Sequence, residues 1–340
     1  MSMSNRIGWA LIGASTIADE WMVNAIRSQD GDIVAVVSGS EARARQFADK
    51  HGIPQATSEL GQALGRADVQ AVYISSTNEN HLPQAMAAAA SGKHVLCEKP
   101  LALSEAGARR MIEACAANNV VLATNHHLRC AATHRKLREL IRSGSVGKPL
   151  FARVFHAVSL PAHLRGWRLH QTDAGGGVVL DISVHDIDTL RFVLDAEPVQ
   201  VTAMTSSSGM ASHGLPDGVM GVVRFDNGVL AQIHDAFTVP FAPTGLEVHG
   251  TTGSLFARNV MTQQPIGEIE LRSAEGSQLI EVEHRDLYAT AVAQFHRAVL
   301  HGEAPAASGA DGYRSLVAAL AIQQSAASSS QVEIPFTPEL

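Results

Sequence analysis

The chain has 340 residues, 46% hydrophobic and 17% charged; this is long enough for two globular domains and far from the charge-rich, apolar-poor profile of a disordered chain. A formal net charge of −7 leaves no basic stripe for a nucleic-acid backbone and sets up mild repulsion from an anionic membrane, so small-molecule chemistry is the favoured class. Cys97, Cys115 and Cys130 are odd in number and lack a CxxC spacing, which argues against a disulfide framework or zinc knuckle and for a reducing compartment.

The first residues carry one early Arg6 and an apolar run that turns directly into a glycine motif, so no signal peptide is expected and residues 1–4 are expected to be disordered. No stretch approaches the roughly 18 apolar residues of a membrane helix, and a cytoplasmic protein follows. Short apolar runs at 7–12, 33–37, 71–75, 94–97 and 120–124 read as strands, and between them 17–27, 42–51, 83–91 and 105–118 read as helices, the last with Ser104 as N-cap. That alternation predicts repeated βαβ units in a parallel sheet, a Rossmann domain over residues 5–125. From 126 to 340 an α+β domain is expected, with a helix at 132–143 and then longer β-type runs at 150–160, 200–206, 219–225 and 229–238. Asn227-Gly228 predicts a type I′ hairpin turn, both central residues at positive φ. Two helices, 287–300 and 313–326, close a large, mostly antiparallel sheet, with helices on one face.

The first strand runs into Gly13-Ala14-Ser15-Thr16-Ile17-Ala18, a degraded G-x-G-x-x-G in which Ser15 and Ala18 replace the second and third glycines. Its position between a strand and a helix suits a pyrophosphate resting on a helix N-terminus; an ordinary strand-to-helix turn is the plainer alternative. The second strand ends in Ser38 and Gly39 rather than a carboxylate, and Arg43 offers a guanidinium for a 2′-phosphate, so NADPH is expected over NADH, with Glu41 as the counter-indication.

Two further motifs follow in order: Glu98-Lys99-Pro100 after the fifth strand, and Gly175-Gly176-Gly177 leading to Asp181 and His185. With the glycine-led loop they make a chain that resembles the Gfo/Idh/MocA oxidoreductase family over essentially its whole length, with matching stretches at 8–18, 75–81, 94–101, 124–129, 154–168, 175–191 and 235–250. The resemblance implies an NADP-dependent enzyme reducing a ketone of a small sugar derivative, without metal. It also implies coenzyme contacts from Gly13, Ser15, Thr16, Ile17, Ala18, Ser38, Gly39, Arg43, Ser76, Thr77, Asn78, His81, Glu98, Lys99 and Asn125, with Trp167 and Arg168 reaching in from the other half. Trp167 stacks on sugar, covers nicotinamide or merely packs its loop.

Chemistry agrees with that assignment. Hydride transfer belongs to the nicotinamide, so the protein must hold the carbonyl, stabilise the alkoxide and supply a proton. Lys99, leaving a strand C-terminus, is placed to polarise a carbonyl. His185, with an ordinary pKa of about 6.5, suits proton delivery near neutral pH; which of the two delivers it stays open. Asp181 grips a hydroxyl or orients the imidazole. Asp181, His185 and Asp188 fall at helical spacing on a face expected to line a cleft, beside an apolar stripe of Val179, Ile182, Leu190 and Val193. The three glycines are expected to let backbone approach a ligand. His126 and His127 are also ligand types, but no tetrahedral set completes and no metal is expected. Rivals are an NAD(P)-dependent dehydrogenase of another polyol or hexose, and a non-catalytic NADP-sensing regulator. The expected partner is a small sugar substrate, with neither nucleic acid nor membrane, and the chain is a monomer or a homo-oligomer through its second sheet.

Overall fold

The computed structural model describes residues 6–335, so the expectation for residues 1–4 lies outside them. Two compact units form. One comprises the chain up to His127 together with Tyr288–Tyr313, the other Leu128–Leu287 and the chain from Arg314. A single division between 125 and 126 is therefore corrected, because the segment from Tyr288 returns to the first unit.

In the first unit the strands are β1 (Gly8–Ile12), β2 (Asp32–Val37), β3 (Gln55–Thr57), β4 (Ala71–Ile74), β5 (His94–Cys97) and β6 (Leu122–Thr124). They pair in parallel in the order β3-β2-β1-β4-β5-β6. Every residue of β1 and β4 is buried, as expected of central parallel strands covered on both faces, whose sequences read as unbroken apolar runs. The crossovers are α1 (Val23–Ser28), preceded by a π-helical turn at Ala18–Met22, α2 (Glu41–His51), α3 (Leu60–Leu64), α4 (His81–Ala90) and α5 (Glu105–Ala117). Ser104 caps α5, its hydroxyl accepting from the Gly107 amide at 3.1 Å, and Ser40 caps α2 through the Arg43 amide. β3 and α3 are too short to show a period, and the sequence gives no sign of them.

The second unit holds α6 (Ala132–Arg142), β7 (Pro149–Ala157), α7 (Gly166–His170), α8 (Val184–Leu194), β8 (Pro198–Ser206), β9 (Gly218–Phe225), β10 (Leu230–Ala236), β11 (Gly245–Gly250), β12 (Gly253–Arg258), β13 (Glu268–Ser273) and β14 (Gly276–Ile280). After α9 (Leu287–His301) and α10 (Gly309–Ser328), β15 (Val332–Glu333) completes the sheet β14-β13-β12-β11-β7-β10-β9-β8-β15. Only β7 and β10 pair in parallel; the other neighbours are antiparallel. Strand alternation buries Ala231, Ile233 and Asp235 of β10. The opposite face, set by the register, carries exposed Phe151, Met204, Met220 and Val222.

The β9–β10 hairpin forms, but not with the expected turn. Only Gly228 has positive φ, at 88°. The Gly228 amide bonds back to the Phe225 carbonyl at 2.9 Å and the Asn227 side chain accepts from the Val229 amide at 3.1 Å. This is a three-residue loop, a tight turn followed by a left-handed glycine, which asks for positive φ at one position and leaves Asn227 free to cap.

The segment from Tyr288 covers the first unit for visible reasons. Phe295 lies 5.1 Å from the Trp9 ring, Trp9 Nε1 donates to His296 Nε2 at 3.1 Å, and Tyr288 stacks on both Trp21 and His127. Burying aromatic rings of this size together stabilises by several kcal/mol, on the order of 1.5–3 for each side chain removed from water.

Candidate active site

In the first unit the sheet order reverses between β1 and β4, and ligands of open α/β sheets settle outside the strand C-termini at such a point. Gly13 follows β1 with φ of 121°, and a Cβ there would lie 2.8 Å from the backbone of Ser75 and Ser76. Only glycine fits. Ser15 stands where the motif's second glycine would be, and its hydroxyl is used: it bonds the Ser75 hydroxyl at 2.7 Å and accepts from the Ala18 amide at 3.2 Å. Thr16 and Ile17 are half-buried at the start of the helical segment, while Ala18 is packed away completely. This cradle of small residues at a helix start fits a dinucleotide pyrophosphate.

At the end of β2, Ser38 is buried, Gly39 is exposed with no neighbour within 4 Å of a would-be Cβ, and Arg43 is exposed on the first turn of α2. Glu41 is engaged elsewhere, accepting from Arg45 at 3.2 Å and from the Ser58 amide at 3.1 Å. The cation at this corner is thus not cancelled by its neighbouring carboxylate.

Lys99 is half-buried between two anchored residues. On one side Glu98 Oε1 accepts from both Tyr73 Oη and Asn125 Nδ2, each at 2.6 Å. Burial pushes the Glu98 carboxyl above its ordinary value against the pull of those bonds, and burial with the nearby Glu98 charge drives the Tyr73 phenol well up. On the other side the Pro100 carbonyl meets His81 Nδ1 at 2.9 Å, while His81 Nε2 meets the Ser76 carbonyl at 3.2 Å. His81 is fully buried with both ring nitrogens on backbone, so a direct coenzyme contact is corrected to an internal brace between the loops after β4 and β5. Glu98 and Asn125 likewise spend polar atoms on each other. Ser76 and Thr77 stay half-exposed, whereas Asn78 is buried. Tyr73 is the residue that sequence reasoning missed; a polar-tipped ring inside Ala71-Val72-Tyr73-Ile74 was the signal.

In the second unit Asp181 sits in a π-helical turn, Val179–Ser183, that runs into α8 carrying His185. Arg168 Nε donates to both Asp181 oxygens at 3.2 Å, and its guanidinium stacks on the Trp167 ring at 4.7 Å. Arg168 thus holds Asp181 through its Nε. The glycine run is also reassigned. A Cβ on Gly176 would lie 2.9 Å from the carbonyls of Arg168 and Gln171, and the Gly177 amide bonds the Arg168 carbonyl at 2.8 Å. What approaches so closely is the protein's own α7, which places Arg168 on Asp181.

Asp188 is not on an open face. It is buried and accepts from Arg129 Nε and Nη2 at 2.7 and 2.8 Å and from Ser315 Oγ at 2.9 Å, with Arg191 at 3.5 Å. Every residue from Ile182 to Leu190 is buried, so the helix has no solvent side. Among the described residues, no group of three or more His, Cys, Asp and Glu side chains could hold a metal ion, and no helix is long and apolar enough to cross a membrane.

Comparison with known proteins extends over both units. Residues 7–126 match the model of an oxidoreductase family with an NAD-binding Rossmann fold, and residues 134–256 match that of a GFO/IDH/MocA C-terminal domain. A 1,5-anhydro-D-fructose reductase of Ensifer adhaerens is 53% identical over 96% of this chain and 98% of its own length. A myo-inositol 2-dehydrogenase of Thermotoga maritima is 30% identical over 94% and 96%. Among solved structures, levoglucosan dehydrogenase with NADH and levoglucosan shares the fold at a TM-score of 0.88, covering 97% of this chain and 100% of that one at 22% identity. The aldose-aldose oxidoreductase of Caulobacter crescentus with glycerol does so at 0.89, covering 96% and 99% at 24% identity.

Proposed function

The chain belongs to the Gfo/Idh/MocA oxidoreductase family, and from that premise we propose that it reduces the 2-keto group of 1,5-anhydro-D-fructose to 1,5-anhydro-D-mannitol with NADPH. The observation that carries the substrate is the identity to the Ensifer adhaerens reductase, which runs through both units rather than through the coenzyme half alone.

Bound coenzyme supplies the hydride; everything else falls to the chain. Arg43, with Glu41 drawn off by Arg45 and Ser58, pairs with the adenosine 2′-phosphate, and the absence of a carboxylate at Ser38 leaves that phosphate unopposed. The pyrophosphate rests at Gly13 to Ala18. Lys99, held from both sides by the Glu98 and Pro100 anchors, polarises the substrate carbonyl and opposes charge on its oxygen. His185 gives that oxygen its proton, and Asp181, held in place by Arg168, accepts from a sugar hydroxyl. Three buried free thiols are consistent with a reducing cytoplasm. Association, if any, uses the open sheet face bearing Phe151 and Met220.

The test is NADPH oxidation with 1,5-anhydro-D-fructose, run beside NADH and a panel of keto-sugars and polyols. Turnover with the anhydro ketose should exceed that with the others. Faster NAD-dependent oxidation of an inositol or hexose would replace the proposal by the polyol dehydrogenase alternative, and coenzyme binding without any turnover would point to a sensor.

A further inference from the structure

Beneath the helix that carries His185 lies a polar cluster that the proposed reduction does not use. Asp186, in the first turn of α8, and Asp235, on β10, are both fully buried and lie within reach of a hydrogen bond to each other. Asp186 Oδ1 meets His156 Nδ1, from β7, at 2.8 Å. Asp235 Oδ2 accepts from Ser183 Oγ in the π-helical turn. One oxygen remains on each carboxyl, Asp186 Oδ2 and Asp235 Oδ1, and neither meets an N–H or O–H donor among the described residues. Two buried carboxylates in contact cannot both be ionised, and a single proton between them satisfies both orphaned oxygens at once. Asp235 also touches residues 183 and 186, which bracket His185 in the chain.

We propose that Asp186 and Asp235 hold one proton between them, and that this acid–carboxylate clamp is a positioning device that fixes His185 against the sheet and loosens when the proton is lost in alkali. The inference rests on the role of His185 given above.

The surrounding groups agree with a singly protonated pair. His156 faces it from β7, Ser183 from the π-helical turn, and His134 from α6 stands next to His156. Burial, helped by His156, pushes the His134 imidazole down to about 3, so it brings no charge. Burial likewise pushes Asp186 up to about 7 and, with the neighbouring Asp186 charge, lifts Asp235 well above the ordinary carboxylate range. The His156 ring nitrogen on Asp186 Oδ1 and the Ser183 hydroxyl on Asp235 Oδ2 leave one carboxylate and one carboxylic acid with every oxygen satisfied. Loss of the shared proton strands a second negative charge without a partner, a costly state in a dry interior.

The test compares the parent with Asp235→Asn and Asp235→Ala. An asparagine accepts from Ser183 through its oxygen and donates to Asp186 Oδ2 through its amide, so it copies the protonated acid at every pH. The parent's kcat should fall in alkaline buffer at unchanged KM for NADPH. Asp235→Asn should stay within about threefold of the parent at neutral pH and lose that alkaline fall, while Asp235→Ala should lose on the order of tenfold or more in kcat. Infrared difference spectra should show a protonated carboxyl C=O stretch in the parent at neutral pH that Asp235→Asn lacks. Superposable pH profiles for the parent and Asp235→Asn, or no such band in the parent, would overturn the proposal. A band present in a protein that does not turn over the anhydro ketose would instead remove the substrate assignment and leave the shared proton standing.

Discussion

Replacing Asp188 by alanine tests the reassignment of that residue from an open face to the interior. Its carboxylate is 1% exposed and takes a two-pronged grip from Arg129, itself 9% exposed. Removing one member of a buried ion pair costs about 3–5 kcal/mol, most of it the burden of a guanidinium left buried without its counter-charge. The lower end applies, because Arg191 keeps Glu197 through bonds of 2.6 and 2.8 Å after Asp188 is gone. For a unit of this size each kcal/mol moves Tm by roughly 2–4 °C, so about 3 kcal/mol predicts a fall of roughly 6–12 °C. Asp188→Asn keeps the shape and the Ser315 bond and should recover about half of the loss. Thermal melts followed by circular dichroism at fixed protein concentration read the effect, with NADPH affinity measured alongside and expected to hold. A Tm for Asp188→Ala within about 2 °C of the parent would refute the burial argument.

Ser38→Asp should turn coenzyme preference towards NADH by placing a carboxylate against the 2′-phosphate; a change under about twofold in the efficiency ratio, ~0.4 kcal/mol, would mean the adenosine corner is misassigned. His185→Ala should leave NADPH binding intact and slow reduction by on the order of 10²–10⁴ in single-turnover experiments, and normal turnover would remove His185 as proton donor. If Lys99 and His185 serve the same transition state, Lys99→Met combined with His185→Ala should lose much less than the product of the single losses; full multiplication would demote Lys99 to holding coenzyme. Stability should also respond to pH through Asp186 and Asp235. Their folded pKa values are both raised above the unfolded ones, so the folded state binds extra protons; the stabilising effect is complete below about pH 3.8 and lost in two steps, one as pH rises through about 7 for Asp186 and one in alkali for the proton shared with Asp235. Denaturant midpoints of the parent should decline across that window more steeply than those of Asp235→Asn, and parallel curves would count against the raised values.

The parallel sheet was legible because its strands are buried on both faces and therefore spell unbroken apolar runs, as Ala71 to Ile74 does. Gly13 was legible because no other residue fits against Ser75. The second sheet was harder. Its edge strands, such as β14, are mostly exposed, so alternation fades into the composition of a loop. Nothing in the sequence says that β7 and β10, some eighty residues apart, lie side by side in parallel. Asp188 was misplaced by counting an ideal helix through Asp181 and His185. The π-helical turn adds a residue to its i→i+5 step and shifts the faces, and a helix buried all round must pair its charges internally. The partners of Arg168 and His81 were not legible, since a pattern of residue types carries no record of which neighbour satisfies a ring nitrogen or a guanidinium.

The return of Tyr288–Tyr313 to the first unit bears on the birth of the molecule. Trp9 leaves the ribosome well ahead of Phe295 and His296, which cover it from almost three hundred residues further along the chain. Until then the nascent sheet carries an uncovered aromatic seam, so the coenzyme unit closes only after Tyr288–Tyr313 has emerged. The other unit is interrupted in turn, since Ser315 and Ser325 complete it from beyond that crossing. Neither unit is a contiguous stretch that can be cut out and expected to fold alone, and a stalled chain ending before Tyr288 would be prey for chaperones and proteases. α9 and α10 act as the fastening of each unit taken by itself, arriving after the strands they cover.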